Sequence, residues 1–116
     1  MKQYLNSEQT AKLIELGFEK PKNERWVLDV ANGSTPSIQN LVKRQDYSIG
    51  ELLSFLPSVI SDKKFDYAII NIFHDTINWV VGYEDVDGVM RFITSDIELI
   101  DVLCTLCRKL KGEGVI

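Results

Sequence analysis

Four residues of this chain have the types and spacing that could support chemistry. The single histidine, His74, is followed directly by Asp75, and a carboxylate beside an imidazole can orient it for proton transfer. Cys104 and Cys107 form a C-x-x-C pair, a spacing that occurs in redox motifs and in zinc sites. If the last helix crossed the hairpin tip that carries His74, the four side chains would make a zinc site or an enzyme centre.

A structural interpretation of the same residues needs fewer assumptions. Neighbouring residues of a strand point to opposite faces, so His74 and Asp75 would not touch, and a short acid suits a hairpin turn. Both cysteines fall in the middle to late part of a predicted helix, where the helix dipole disfavours a thiolate. We therefore predict a hairpin tip and two small buried hydrophobes, with no catalytic residue, metal or cofactor. The zinc or enzyme site is the alternative hypothesis.

A cluster of acids follows at Glu84, Asp85 and Asp87. The order Asp-x-Asp-Gly is that of the opening of a calcium-binding EF-hand loop, but the glycine comes too early and the closing glutamate is missing. Two catalytic carboxylates would have to lie on separate walls of a cleft, which neighbouring turn residues do not provide. The acids therefore predict a solvated turn in which Gly88 takes a positive φ.

Length and charge narrow the class of protein. A chain of 116 residues is expected to form one domain, residues 1–116, with a core of its own. The net charge of −4 disfavours nucleic acid, which would need a basic face gathered from Lys43, Arg44, Lys63, Lys64 and the cluster at 108–111. The first residues lack the apolar run of an export signal, and no segment approaches the roughly 20 apolar residues of a membrane span. We therefore expect a cytoplasmic protein that does not contact a membrane.

Capping signals mark two helices in the first half of the chain. Asn6 with Gln9, and Ser48 with Glu51, have the spacing of a capping box, in which each side chain accepts a hydrogen bond from the other residue's backbone. The first helix is expected to end at the glycine just past its last turn. The second is expected over residues 49–56, and the proline that follows ends it.

The segment between these helices predicts a strand and a further short helix. Residues 25–31 favour a strand with Trp26, Leu28 and Val30 on one face and Val27 and Asp29 on the other. The sequence NGSTPS that follows is a loop by composition. Pro36 suits the first position of a helix, which we expect to run through Ile38, Leu41 and Val42.

Period-two patterns predict three strands in the second half, over residues 65–73, 77–84 and 89–94. Short polar connections make them an antiparallel meander. The strand at 65–73 is apolar on both faces, which is typical of a central strand covered on both sides. We therefore predict that the strand around Trp26 pairs beside it, with the last helix on one face of the sheet and part of the N-terminal half on the other.

The last helix is predicted over residues 96–111. Ser95 and Glu98 have the spacing of a third capping box, basic residues near the end complement the dipole, and Gly112 stops the helix. The element order is then α-β-α-α-β-β-β-α. Strands followed by a helix without alternation indicate an α+β fold with a small antiparallel sheet, made of the three-strand meander and the N-terminal strand.

Three segments carry a resemblance to a known group of proteins. They are YSIGELLSFLPSVI, NWVVGYE and ELIDVLCTLCRKLKGEG, and they cover the chain from Tyr47 onward. The pattern resembles short uncharacterised proteins of prophages and other mobile elements from anaerobic gut bacteria. In those proteins a helix of this type precedes an aromatic hairpin and a closing helix that ends near glycine. The resemblance implies fold and origin, and it assigns no catalytic residue.

The aromatic residues of the meander suggest where the protein binds. Tyr67, Trp79, Tyr83 and Phe92 are more than one helix covers easily, and an uncovered remainder would be a surface for a partner or a second copy. We therefore expect a non-enzymatic accessory or regulatory protein–protein interaction module of mobile-element origin. A metal-binding, ligand-binding or enzymatic protein that uses His74 with Cys104 and Cys107 is the alternative, and nucleic-acid binding is the least favoured function.

Overall fold

The computed structural model describes residues 1–28 and 41–116. In these residues the helices are α1 (Ser7–Glu15), α2 (Ile49–Phe55) and α3 (Leu99–Gly112). The strands are β1 (Glu24–Leu28), β2 (Leu41–Gln45), β3 (Val59–Asp62), β4 (Asp66–His74), β5 (Trp79–Asp85) and β6 (Met90–Asp96). They form one antiparallel two-stranded sheet and one antiparallel four-stranded sheet, which confirms the α+β class.

The ends of α1 follow the sequence signals closely. The Asn6 side chain accepts from the Gln9 N–H at 2.8 Å, and the Gln9 side chain accepts from the Asn6 N–H at 3.1 Å, so the predicted capping box is confirmed. At the other end Gly17 has φ of 99°, and the Phe18 N–H donates to the Leu13 carbonyl at 3.2 Å. This is the Schellman closure, which needs the left-handed residue that glycine adopts without strain.

Both ends of α2 were also predicted. The Ser48 hydroxyl accepts from the Glu51 N–H at 3.2 Å, and the Glu51 carboxylate accepts from the Ser48 N–H at 3.2 Å. Leu56 leaves the helix with φ of −91° and ψ of 120°. Pro57 causes this change, because the ring of a proline crowds the residue before it out of helical geometry.

The four-stranded sheet has the order β3-β4-β5-β6, so the meander β4-β5-β6 is confirmed. Its fourth strand is β3, and the prediction that the strand around Trp26 takes this place is wrong. A turn of three residues joins β3 to β4, and Ile60 pairs with Ala68 across it. The Asp62 carboxylate accepts from the Lys64 N–H at 3.0 Å and supports that turn. A local hairpin costs less loop-closure entropy than bringing in a distant strand.

The strand around Trp26 forms a separate hairpin instead. β1 pairs antiparallel with β2, with Trp26 opposite Lys43 and Leu28 opposite Leu41. Leu41 and Val42 therefore lie in a strand, and the helix predicted through them is wrong at these two positions. The presence of a pairing partner in β1 outweighs the helix signal at Pro36. The rest of that helix, the NGSTPS loop and residues 29–31 of the predicted strand lie outside the described residues.

The start and end of α3 differ from the prediction by a few residues. Ser95 lies in β6, which stays paired with β5 as far as Asp96, so the capping box of Ser95 with Glu98 is wrong. Glu98 occupies the N-cap without a side-chain cap bond. The left-handed residue at the other end is Gly114, with φ of 73°, and Gly112 is the last helical residue. At the N-terminus of α3, Ser95 and Asp96 stay in the strand because strand pairing satisfies more backbone hydrogen-bonding groups than one helix cap does.

α3 lies in the middle of the molecule. It contacts β5 and β6 of the sheet, and also α1 and α2 from the N-terminal half. Half of its 14 residues are buried, namely Ile100, Val102, Leu103, Cys104, Leu106, Cys107 and Leu110. Part of the N-terminal half was predicted to cover the second face of the sheet. The described helices α1 and α2 pack on α3 instead, because its wide apolar surface needs more than one partner element.

The apolar composition of α3 reflects this burial within the protein. No helix in the described ranges is both long and apolar enough to cross a membrane. The core that surrounds α3 includes Leu5 and Leu13 from the N-terminal segment, Leu52 from α2, and Val81 and Tyr83 from β5. The sheet, α3 and the N-terminal elements thus share one core.

Asp46 joins the β1–β2 hairpin to the rest of the protein. Its side chain is 2% exposed and accepts from the Thr10 hydroxyl at 2.9 Å. The guanidinium groups of Arg25 and Arg44 lie at 3.2 Å and 3.3 Å from its other oxygen. The Arg25 guanidinium also lies over the Tyr4 ring, 4.2 Å from its centroid. Two positive charges on one buried carboxylate hold the hairpin against α1.

We expect Asp46→Asn to lower the free energy of unfolding by about 3 kcal/mol, since removing one partner leaves the arginine charges uncompensated next to a buried amide. The change keeps the shape of the side chain and an oxygen for Thr10. Urea unfolding followed by circular dichroism measures the effect. Glu24→Gln is the control, because it breaks only the exposed pair of Glu24 with Lys43 and should cost under about 0.5 kcal/mol. Equal stability of the two variants would refute the role of Asp46.

Candidate functional site

The four-stranded sheet has one face turned away from α3, which we call the outer face. Val81 and Tyr83 of β5 are buried in the core, so their neighbours Val80, Gly82 and Glu84 point to the other side. Cross-strand pairing extends this face over all four strands. It includes Val59 and Ser61 of β3, Tyr67, Ile69, Asn71 and Phe73 of β4, and Met90, Ile93 and Ser95 of β6.

The outer face is apolar and accessible. Five of its large apolar side chains remain between 43% and 53% exposed, namely Val59, Tyr67, Ile69, Phe73 and Ile93. Glu84 is the one charged side chain that the strands direct to this face, and it accepts from the Asn71 amide at 3.3 Å. An apolar surface of this kind on a small protein is typical of a binding site.

A bulge in β6 shapes one side of the outer face. Arg91 pairs with Tyr83 and Thr94 with Val81, so Phe92 and Ile93 both lie opposite Gly82. Phe92 has φ of 53° and turns towards the core, while Ile93 stays on the outer face. A Cβ at Gly82 would come within 3.1 Å of the Ile93 Cα, which explains why this strand position is a glycine. A bulge also hinders further strands from pairing with an edge.

Comparison with protein-family models, with curated proteins and with solved structures gives no match for this chain. The geometry of its own residues is therefore what bears on function.

One of the four aromatic residues predicted to form an interaction face lies on the outer face. Tyr67 is there and is 50% exposed. Tyr83 is fully buried, burial raises its pKa to about 12, and its hydroxyl donates to the Pro57 carbonyl at 2.7 Å. Trp79 and Phe92 are partly buried against the core. The prediction is wrong for Tyr83, because residues of β5 alternate between faces, and composition does not show which alternate set faces α3. For Trp79 and Phe92 it stays a prediction.

The tip that carries His74 is a turn, as predicted. The Asp75 carboxylate accepts from the N–H groups of Asn78 at 2.6 Å and Ile77 at 2.8 Å. These two hydrogen bonds, with the larger effect from Asn78, lower the pKa of Asp75. His74 is exposed and lies edge-on to the Trp79 ring, with 4.9 Å between the centroids. Asp75 thus serves the turn and does not orient the imidazole.

Both cysteines are buried in α3. Cys107 is fully buried, and its Sγ lies 3.8 Å from the Leu52 carbonyl oxygen. Desolvation raises the pKa of Cys107 to about 12 and also raises the pKa of Cys104. Across residues 1–28 and 41–116, no three His, Cys, Asp or Glu side chains are grouped to hold a metal ion. The zinc site of His74, Asp75, Cys104 and Cys107 is therefore wrong.

The acidic turn holds a buried carboxylate that the sequence interpretation missed. Asp85 is 6% exposed and accepts from the N–H groups of Asp87 at 2.9 Å and Val89 at 3.0 Å, and from the Arg91 Nε at 2.9 Å. Desolvation alone would raise its pKa, but these hydrogen bonds and the Arg91 charge lower it overall. Asp87 is exposed as expected, and Gly88 has the predicted positive φ, 80°. The sequence feature that could have indicated this ion pair is Arg91, six residues after Asp85.

Some residues of the three basic clusters considered for nucleic-acid binding have structural roles. Arg44 pairs with Asp46, and Lys63 and Lys64 form the turn between β3 and β4. Lys109 and Lys111 lie in the last turn of α3, where they complement the helix dipole. The three clusters thus lie on three different elements.

Neither native thiol should react with Ellman's reagent while the protein is folded, because both are buried and their protonated form is favoured. Unfolding in guanidinium chloride should release two thiols per chain. Ser61→Cys is the control: its thiol lies on the exposed outer face and should react at once, with the native pair still protected. Rapid reaction of a native thiol in the folded protein would contradict the buried placement.

Asp85 should make the protein sensitive to acid. Its folded-state pKa lies below the ordinary value of 3.8, so the folded protein binds fewer protons than the unfolded chain as the pH falls towards and below 3.8. The stabilisation is complete well above pH 3.8 and is lost as the pH falls through the folded-state pKa. Urea midpoints from pH 6 to pH 2 should therefore fall more steeply for the wild type than for Asp85→Asn. The exposed variant Asp87→Asn should follow the wild type, and parallel curves for all three proteins would count against this role.

Proposed function

We propose that the protein is an accessory or regulatory protein–protein interaction module without catalysis, and that it binds its partner through the outer face. The observation that supports this most directly is the set of five apolar side chains, each about half exposed, on one side of a sheet. Water contact with such a surface costs free energy that a partner would recover. The predicted origin in a mobile element is part of the proposal, and it rests on the sequence resemblance from Tyr47 onward.

The size of the outer face sets the strength of binding. Four strands about 4.8 Å apart and some six residues long give a footprint of about 400 Å². A stable protein interface buries about 800 Å² per partner, so the outer face alone supports a weak or transient complex. Covering the exposed half of five apolar side chains contributes about 5 kcal/mol before the cost of association is subtracted. Neighbouring surfaces must therefore add to the contact.

Charge around the outer face indicates the chemistry of the partner. Residues 59–98, which contain the sheet and its turns, carry eight acids and three bases, a net charge of −5. Within the sheet, however, the outer face has Glu84 alone. An apolar centre with an acidic surround suits a protein surface that is apolar with basic flanks, because opposite charge steers the encounter and disfavours acidic competitors.

Ile69→Asp should weaken partner binding without unfolding the protein, because it places a carboxylate at the middle of the outer face. An unpaired charge under a partner should weaken binding by about tenfold or more. Ile97→Asp is the matched control, since Ile97 is 66% exposed but lies between β6 and α3. The wild type, Ile69→Asp and Ile97→Asp are each tagged and used in a pull-down from the native host. Quantitative mass spectrometry then compares the host proteins that each of them retains.

Circular dichroism must show the same fold for the wild type and both variants. Proteins that the wild type and Ile97→Asp retain, and that Ile69→Asp loses, are partners of the outer face. Retention of the same proteins by Ile69→Asp would refute binding through this face.

A further inference from the structure

The β1–β2 hairpin, which we call the arm, is a second uncovered apolar surface. One side of it carries Trp26 and Leu28, which are 62% and 50% exposed. Lys43 lies opposite Trp26 in the same pair of strands, with its ammonium 5.5 Å from the centre of the indole ring. A hairpin of two strands is marginal by itself, and an exposed tryptophan on it is costly unless something covers it.

The charge of the arm is opposite to that of the sheet. Residues 20–28 and 41–46 carry five bases, Lys20, Lys22, Arg25, Lys43 and Arg44, against the two acids Glu24 and Asp46. Their net charge is +3, whereas residues 59–98 have a net charge of −5. The arm therefore presents exposed apolar side chains with the basic Lys43 beside them, in a region of net positive charge, while Arg25 and Arg44 lie on its other side against Asp46.

We infer that the outer face binds the arm of a second copy of this chain, and that two copies exchange arms about a two-fold axis. This inference rests on the proposed function of the outer face and names its partner. Trp26 and Leu28 of one protomer would lie on the apolar centre around Ile69 of the other, and the symmetry would repeat the contact.

The arm of the same chain is held away from the outer face. Asp46 and the Tyr4 ring fix Arg25, and Asp46 also binds Thr10 of α1. α1 contacts α3, and α3 packs on the inner face of the sheet through Val81 and Tyr83. The outer face lies on the opposite side of the sheet from α3, so a contact between arm and outer face is intermolecular.

Interface area favours a closed pair over a single contact. A stem of two strands and five residues covers about 170 Å² in projection, far below the roughly 800 Å² per partner of a stable interface. Reciprocal exchange doubles the contact and uses both surfaces of each protomer. It also closes the assembly, whereas a one-way contact would continue into a chain of molecules.

One charge pair follows from the positions of the residues. Glu84 is the charged side chain of the outer face, and Lys43 is the basic residue beside Trp26 on the exposed side of the arm. Within one chain Lys43 lies 3.3 Å from Glu24, but both side chains are more than half exposed. An exposed pair of this kind contributes little, so Lys43 can exchange Glu24 for Glu84 of the other protomer.

Sedimentation equilibrium of the purified full chain over a range of concentrations tests the exchange. The wild type should show a reversible monomer–dimer equilibrium that weakens with added salt. Trp26→Ser and Ile69→Asp should each raise the dissociation constant by about tenfold or more. Lys109→Glu, an exposed reversal on α3, is the control and should associate as the wild type does.

Charge-reversal variants test the inferred pair of Lys43 with Glu84 of the other protomer. Lys43→Glu and Glu84→Lys should each raise the dissociation constant by about fivefold, and the double variant should return it to within about twofold of the wild type. A wild type that stays monomeric at every concentration would overturn the inference, and so would a dimer that Trp26→Ser leaves unchanged. If the wild type is monomeric while Ile69→Asp still loses a host protein in the pull-down, the proposed function stands and the arm is not the partner.

Discussion

The burial of α3 on two sides is the constraint on which the rest of this structure depends. A helix whose apolar residues spread around half of its surface cannot be satisfied by a sheet alone. β5 and β6 cover part of this surface with Val81, Tyr83 and Phe92, and the N-terminal elements cover another part with Leu13 and Leu52. The described N-terminal helices α1 and α2 are therefore committed to α3.

That commitment leaves the outer face of the sheet without a covering layer from residues 1–28 and 41–116. β4 is apolar on both faces, a pattern normally found where both faces of a sheet are covered. Its inner residue Ala68 is fully buried, whereas Tyr67 and Ile69 beside it stay about half exposed. The sequence of β4 suits burial on both faces, but its outer side chains remain exposed. This mismatch is the physical basis for proposing a binding face.

Signals that act within a few residues were sufficient to predict part of this fold. The capping boxes of α1 and α2, the glycine closure at Gly17 and the turn at Asp75 depend on neighbours in sequence, and the structure has all of them. The meander was predictable because its hairpins are short. The pairing partner of β1 could not be predicted in this way. The side-chain pattern around Trp26 fits a place beside β4 as well as one beside β2, and the relative stability of the two pairings decides between them.

In the candidate site, too, the sequence was insufficient where the placement of a side chain depends on a distant element. That aromatic residues of the meander would be in surplus could be predicted, but which of them face outwards depends on the side of β5 that α3 covers. Tyr83 and Tyr67 are on strands that pair directly, yet one is fully buried and the other half exposed. Asp85 was missed for a related reason, because its burial depends on Arg91 from the next strand.

The edges of the sheet decide how a partner approaches. β3 has four residues and ends at Asp62, and β6 is interrupted by the bulge at Phe92 and ends at Asp96. Short, bulged or charged edge strands resist the addition of another strand, so neither edge favours growth of the sheet by pairing. The proposed association therefore uses the outer face, where side chains and not backbone groups would make the contact. Side-chain contacts are specific to shape and charge, which is the property that an interaction module requires.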